Sequence, residues 1–322
     1  MDYFKPDYKN YIANLHKKKK NHVIILLYHG VTRSKSIGIE NYSNKHLNDF
    51  QFYEQMKYLK NNCNPISINE YLNFCKVGKG LPKNSVIVSF DDGFENNYSV
   101  AAPILEELKI PAIFYVASGV VNTTIMFWVD ELEDCINKSK KSYINIKLDK
   151  EYNFQIDTDS RKIKAINKIK NYIKASKMVK INKILECVKN QTGVQSSVYH
   201  AENYAKITWD QLKEMNRNEL FCVGGHSLYH DILAYLSLKR LKKEIQISIK
   251  LLEYHLGEKI RHYSYPEGQK EHFNLTTINL LKSNGIICCP SAIMGLNTLT
   301  TDPFRLKRIM VGFSDRPFPY FD

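Results

Sequence analysis

Apolar positions along this chain fall into short continuous runs separated by stretches of helical period. Residues 23–28, 86–90, 112–116 and 221–223 are runs of Val, Ile, Leu, Phe, Tyr and small residues with almost no polar alternation. Such runs predict strands covered on both faces. Between them, Leu47, Phe50, Tyr53, Met56 and Leu59 recur at helical spacing, which predicts a helix over 46–59. Further helices are predicted over 67–74 and 209–215, with Ser67 and Thr208 as N-caps, and over 100–108, 237–255 and 275–283. Shorter apolar runs at 262–265, 285–289 and 309–312 predict additional strands. Strand alternating with helix implies an α/β fold built on a parallel sheet.

The rhythm lapses between Ser118 and Ala205. That stretch opens on Phe127-Trp128-Val129-Asp130-Glu131-Leu132 and continues through an alternating pair around 143–154. Two Lys-rich helical stretches follow, at 161–175 and 179–189. The expected organisation is an N-terminal extension (1–20), a main domain formed by 21–117 and 206–322, and an inserted, mainly helical subdomain over 118–205. Insertions at the rim of such folds often act as substrate-facing lids, so this one is expected to influence specificity.

Charge and cysteine content narrow the setting. The formal net charge is +13, but the basic residues form no stripe with interleaved aromatics, so nucleic acid is not expected as a partner. A loose peripheral contact with an anionic membrane surface stays open. The seven cysteines are odd in number and show no CxxC spacing, which argues against a disulfide framework or a zinc finger. The first twenty residues end in Lys17-Lys18-Lys19-Lys20 and lack the apolar core of a secretory signal, and no apolar stretch reaches membrane-spanning length. A cytoplasmic protein is the resulting expectation.

The chemistry concentrates at strand ends. The 86–90 run stops at Asp91-Asp92, and the 221–223 run leads through Gly224-Gly225 to His226-Ser227-Leu228-Tyr229-His230. One Asp and two His offer a divalent ion three ligands and leave positions open for water and substrate. The remaining carboxylate is then free to act as a base. His29 and Pro266 also sit at the C-terminal ends of predicted strands, the edge that carries active sites in parallel barrels and sheets. Asp-Asp-Gly by itself is more often a turn, and two histidines four apart are more often incidental. Metal-assisted hydrolysis is indicated by their joint placement.

Ser89-Phe90-Asp91-Asp92-Gly93 together with His226-Ser227-Leu228-Tyr229-His230 resembles the polysaccharide deacetylase family, the NodB-homology group or carbohydrate esterase family 4. Tyr28-His29-Gly30-Val31, Ile207-Thr208-Trp209-Asp210-Gln211-Leu212 and Tyr263-Ser264-Tyr265-Pro266-Glu267-Gly268 extend the resemblance over most of the chain outside 118–205. It implies a distorted (β/α) barrel of the NodB type. It further implies Asp91 as general base and Asp92, His226 and His230 as ligands of one divalent metal, Zn²⁺ by preference, with Co, Ni or Fe as alternatives. The backbone N–H at Glu267, following Tyr265-Pro266, would help bind the oxyanion.

Two departures from the usual family pattern matter. The Leu-x-His motif that commonly supplies the acid near the C-terminus is absent after His272. Some members resemble a circular permutation in which that strand comes first, and Tyr28-His29-Gly30 fits it, so His29 is the candidate acid. Ser264 stands where many members carry a base-orienting Arg, for which Arg305 or Arg308 is the candidate substitute. Trp128 is suited to stack on a sugar ring or to pack within the insertion. The expected function is removal of the N-acetyl group from an amino sugar. An O-acetyl esterase, a deformylase and a catalytically silent glycan-binding protein are the alternatives.

Overall fold

The computed structural model describes residues 21–178, 181–194 and 202–313. The N-terminal extension with its lysine run, the start of the helix predicted over 179–189, and residues 314–322 lie outside the described residues. The chain divides into two compact units: Met1–Arg33, Ser43–Thr123 and Lys206–Asp322 form one, and Ser34–Tyr42 with Thr124–Ala205 the other. The second unit thus draws in residues 34–42, a segment the sequence reading had assigned to the main domain.

The strands in chain order are β1 (His22–Tyr28), β2 (Gly30–Thr32), β3 (His46–Asn48), β4 (Asn64–Pro65), β5 (Ser85–Phe90), β6 (Ala112–Val116), β7 (Tyr143–Lys147), β8 (Glu151–Gln155), β9 (Phe221–Gly225), β10 (Asn297–Thr298) and β11 (Ile309–Met310). In the first unit, β1, β5, β6 and β9 pair in that order, all parallel. Every residue of β1, β5 and β6 is buried, which is why these segments read as unbroken apolar runs. Alternate side chains serve different cores. Ile24, Leu26, Val86, Val88 and Phe114 join the cluster that includes Phe52, Met56, Leu105 and Ile245 of the surrounding helices. Ile25, Ile87, Ile113 and Tyr115 meet Cys288 and Leu306 instead.

Beyond β9 the sheet bends round and closes on itself. Ser264 N donates to Gly225 O at 2.8 Å, Tyr263 N to Cys288 O at 3.0 Å, Cys289 N to Pro303 O at 3.0 Å, Ser291 N to Leu306 O at 2.8 Å and Val311 N to Leu27 O at 2.8 Å. β11 also pairs with β1 in parallel. The result is the expected distorted barrel. The runs predicted as strands at 262–265 and 285–289 contribute isolated bridges rather than full strands. Pro266 and Pro290 end them, because proline has no N–H to give to a ladder.

Local sequence signals hold at the helix starts. Ser67 with Glu70 and Thr208 with Gln211 form reciprocal capping boxes. The helix predicted from His46 starts later, at Asp49, and runs to Asn62. Its missing turn is β3, which pairs with β2, and the Asn48 side chain then caps the helix by accepting from Phe50 N. His46 lies so close under Gly30 that a Cβ at Gly30 would sit 1.9 Å from its Nδ1. Only glycine permits that approach.

The second unit has its own core. β7 and β8 form an antiparallel hairpin, and β7 alternates exposed and buried residues as a one-sided strand must. Ile144 and Ile146 pack with Ile39, Leu132, Ile166, Ile169 and Val188, the first from the 34–42 segment and the last four from the helices Trp128–Lys138, Asp159–Ala175 and Ile181–Thr192. No described helix is long and apolar enough to cross a membrane.

The barrel wall behind the acidic pair is aromatic. Phe90 stacks on Phe114 at 4.9 Å and on Tyr28 at 5.4 Å, with Phe52 edge-on at 5.8 Å. Replacing this fully buried ring by Ala is expected to lower stability by about 3–5 kcal/mol in a denaturant titration. A loss below about 1 kcal/mol would show that neighbouring rings collapse into the space.

Candidate active site

Asp91 and Asp92 follow directly on β5, and both are buried although charged. A buried carboxylate needs a partner, and each has a different one. Asp91 is gripped by Arg308 through two bonds, Nη1 to Oδ1 at 2.8 Å and Nη2 to Oδ2 at 2.7 Å. The guanidinium is itself buried and also donates to Ser291 O at 2.7 Å and to Ser264 Oγ at 2.8 Å. The Ser264 hydroxyl in turn donates a hydrogen bond to Asp91 Oδ2 at 3.2 Å. Arg305, the other candidate, is half-exposed and pairs with Asp302 at 3.6 Å. Arg308 is therefore the residue that orients this carboxylate, and Ser264 leaves room for it to reach in.

Burial works against ionisation of Asp91, yet Arg308 and nearby imidazoles hold its carboxyl below the usual carboxylate range. Burial likewise opposes ionisation of Asp92, and His230 and His226 overcome it, keeping that carboxyl well below the usual range. Both acids are anions at neutral pH.

Asp92, His226 and His230 converge. Nε2 of His226 lies 3.5 Å from Asp92 Oδ1 and Nε2 of His230 lies 3.3 Å from it. Oδ1 is buried and accepts no well-formed hydrogen bond from the described residues. Two ligand atoms each about 2.05 Å from a tetrahedral ion are about 3.3 Å apart. The three groups are thus spaced as ligands rather than as mutual hydrogen-bond partners, and they can hold a metal ion. His226 Nδ1 meets Ser264 O at 3.0 Å, which fixes the tautomer that leaves Nε2 free to bind metal. Burial opposes protonation of His226, but Asp91 and Asp92 raise its pKa; at His230 burial prevails and the pKa falls.

The backbone at these residues is bent into the left-handed region: φ is 82° at Asp92, 64° at His230 and 58° at Glu267. Such strain outside glycine concentrates where side-chain direction matters more than backbone comfort.

His29 follows β1. Burial lowers its pKa, while Asp92 and then Asp91 pull it upward, so it shares a field with both acids. Its Nδ1 is shielded from solvent and has no hydrogen-bond partner among the described residues. Its carbonyl accepts from Asn97 Nδ2 at 2.8 Å, and its ring meets Phe313 edge to face at 5.0 Å. Asn97 belongs to a widened π-type turn, Asn97–Ala101. Nothing in the sequence pattern marks that turn, and the clamp on His29 was missed for that reason.

Glu267 follows Pro266 on the segment after Tyr263. The Tyr265 side chain is spent on packing: it stacks on Phe273 at 4.2 Å and donates to Phe304 O at 3.1 Å. Any contribution from this residue to substrate comes from its backbone. Trp128 begins a helix of the second unit and packs against that unit's apolar core.

The polysaccharide deacetylase profile matches residues 78–174 and 179–288. The chain belongs to the polysaccharide deacetylase family. A poly-beta-1,6-N-acetyl-D-glucosamine N-deacetylase of Staphylococcus aureus (strain MSSA476) is 36% identical over 115 residues, 32% of this chain and 38% of that protein. One from Staphylococcus epidermidis is 30% identical over 120 residues, 34% of this chain and 40% of the relative. The aligned stretch thus spans less than half the length of these curated relatives. Among solved structures, the Streptococcus pyogenes deacetylase PplD in complex with acetate superposes with a TM-score of 0.59 at 18% identity, covering 93% of this chain and 96% of that one. IcaB from Ammonifex degensii gives 0.58 at 19% identity, over 91% and 93%. These likenesses establish the NodB-type fold.

The Arg308 pair makes a prediction. Arg308→Met leaves Asp91 buried without its counter-charge and is expected to destabilise the protein by about 3–5 kcal/mol at neutral pH. Because the folded pKa of Asp91 lies below its unfolded value, the pair's contribution is fully present above the unfolded pKa of about 3.9 and fades as pH falls through the folded value. The stability gap between wild type and variant, from urea titrations, should narrow below about pH 4. A gap independent of pH would contradict the assignment.

Proposed function

We propose that this protein is a metal-dependent N-deacetylase acting on an N-acetylated amino sugar within a glycan or glycan precursor. The observation that carries the reading is the pairing, at one edge of the barrel, of a three-ligand cluster with a separately clamped carboxylate. Asp91 Oδ2 lies 3.8 Å from His226 Nε2, so the clamped acid stands beside the ligand cluster without belonging to it. Family membership supports the same chemistry.

Asp92, His226 and His230 would hold the ion, and one carboxylate with two imidazoles suits Zn²⁺ best, with Co, Ni or Fe as substitutes. When bound, the ion supplies Lewis acidity and a water nucleophilic at neutral pH. Asp91 would accept the proton given up by the attacking water. Arg308 keeps Asp91 ionised and aimed, so it starts each cycle ready to accept. As the water oxygen joins the acyl carbon, the Glu267 N–H donates to the developing oxyanion. The C–N bond then breaks, His29 delivers a proton to the leaving nitrogen, and acetate and a free amino sugar result.

The silent glycan-binding alternative was motivated by Ser264 in place of an Arg and by the absence of the C-terminal Leu-x-His histidine. Arg308 supplies that guanidinium from the segment before β11, which answers the first, and His29 is proposed in place of the second. O-acetyl ester or N-formyl hydrolysis would use the same groups, and acetate or formate release from defined substrates separates them.

Chelator-stripped wild-type protein is expected to bind one equivalent of Zn²⁺ or Co²⁺ and to release acetate from N-acetylglucosamine oligomers once loaded. Asp92→Ala and His226→Ala should lose the metal. Asp91→Asn and His29→Ala should keep the metal and lose activity by roughly 10²–10⁴-fold. Failure of folded wild type to bind either ion would overturn the hydrolase reading.

A further inference from the structure

His226 and His230 are four residues apart but do not lie on a helix. On a helix that spacing would place both side chains on one face automatically. Here they flank a loop that leaves the end of β9 and includes Ser227 and His230 with φ of 63° and 64°. The distance between the two imidazoles therefore depends on what holds the loop in shape.

Three elements hold it. Ser118 N and Gly119 N donate to Ser227 O at 3.2 Å and Leu228 O at 2.7 Å. Gly119 is needed for that approach, since a Cβ there would lie 2.7 Å from Leu228 O. At the far end of the loop, Asp231 is tied to Arg240 at 2.6 Å. At its centre, Glu244 reaches from the helix Leu238–Leu256, and its Oε1 accepts both Leu228 N at 2.9 Å and Tyr229 N at 3.2 Å. Two consecutive backbone N–H groups make a small anion-binding concavity, and here the protein's own carboxylate fills it. Glu244 is only 5% exposed, an uncommon place for a glutamate unless it is paired.

We infer that Glu244 is a positioning residue that fixes the separation of His226 and His230 and so presets the affinity of the metal site. The inference rests on the metal reading proposed above. Glu244 holds the backbone between the two ligands. It acts through that backbone, as outer partners of metal ligands commonly do.

The test is a Zn²⁺ or Co²⁺ titration of the chelator-stripped full chain, with folding of each variant confirmed by circular dichroism. Glu244→Ala is expected to bind the ion about ten- to a hundredfold more weakly than wild type. Glu244→Gln, whose amide oxygen can accept the same two N–H groups, should restore binding to near the wild-type level. Should Glu244→Ala fail to fold, Glu244→Asp decides, since it keeps the charge but draws the oxygen back by one methylene and should weaken binding severalfold. Wild-type affinity in Glu244→Ala, or in Glu244→Asp where that variant decides, overturns the inference and leaves the metal reading standing. No binding by wild type itself overturns the metal reading, and this inference with it.

Discussion

The buried ion pair between Arg308 and Asp91 is the contact on which both the barrel and its chemistry depend. Taking both charges out of water costs several kcal/mol for each ion, and a fold selected for stability alone would have an apolar pair there. The cost is offset because the guanidinium's donors are used on Asp91, Ser264 and Ser291. Those partners come from separate segments of the ring, so one side chain ties together the end of β5, the segment after β9 and the segment leading to β11. Closing the barrel and keeping Asp91 ionised are the same event.

Much of this architecture was legible from residue pattern. The strands β1, β5, β6 and β9 lack polar alternation because both faces are covered, and such runs are hard to mistake. Ser67 and Thr208 announced helix starts through capping boxes four residues long, a purely local signal. What escaped was set by partners distant in sequence. His46 carries helical spacing with Leu59 and its neighbours, yet pairing with Gly30–Thr32 pulls it into a strand. The weak closing strands at 262–265 and 285–289 look like the others until their prolines are matched against the ladder.

The candidate site divides along the same line. Asp91, Asp92, His226 and His230 could be proposed from their places at strand ends, and their convergence needed only that two parallel strands share an edge. The choice between Arg305 and Arg308 could not be made that way. The two are three residues apart in a loop of irregular backbone, where no period fixes which side chain turns inward. The role of Ser264 was hidden for a related reason: a serine where an arginine is usual looks like a loss until the arginine is found arriving from the segment before β11.

The order of these elements along the chain bears on how the protein is made. Arg308 follows Asp91 by 217 residues. At about 5–20 residues per second a ribosome needs roughly 10–40 s to cover that interval. Throughout it Asp91 has no counter-charge, and the ring has no last segment to close against β1. The acidic end of β5 must therefore stay hydrated on the nascent chain while residues 124–205, with an apolar cluster of their own, emerge in between. Barrel closure is consequently a late step, postponed until the arginine that neutralises Asp91 has left the ribosome.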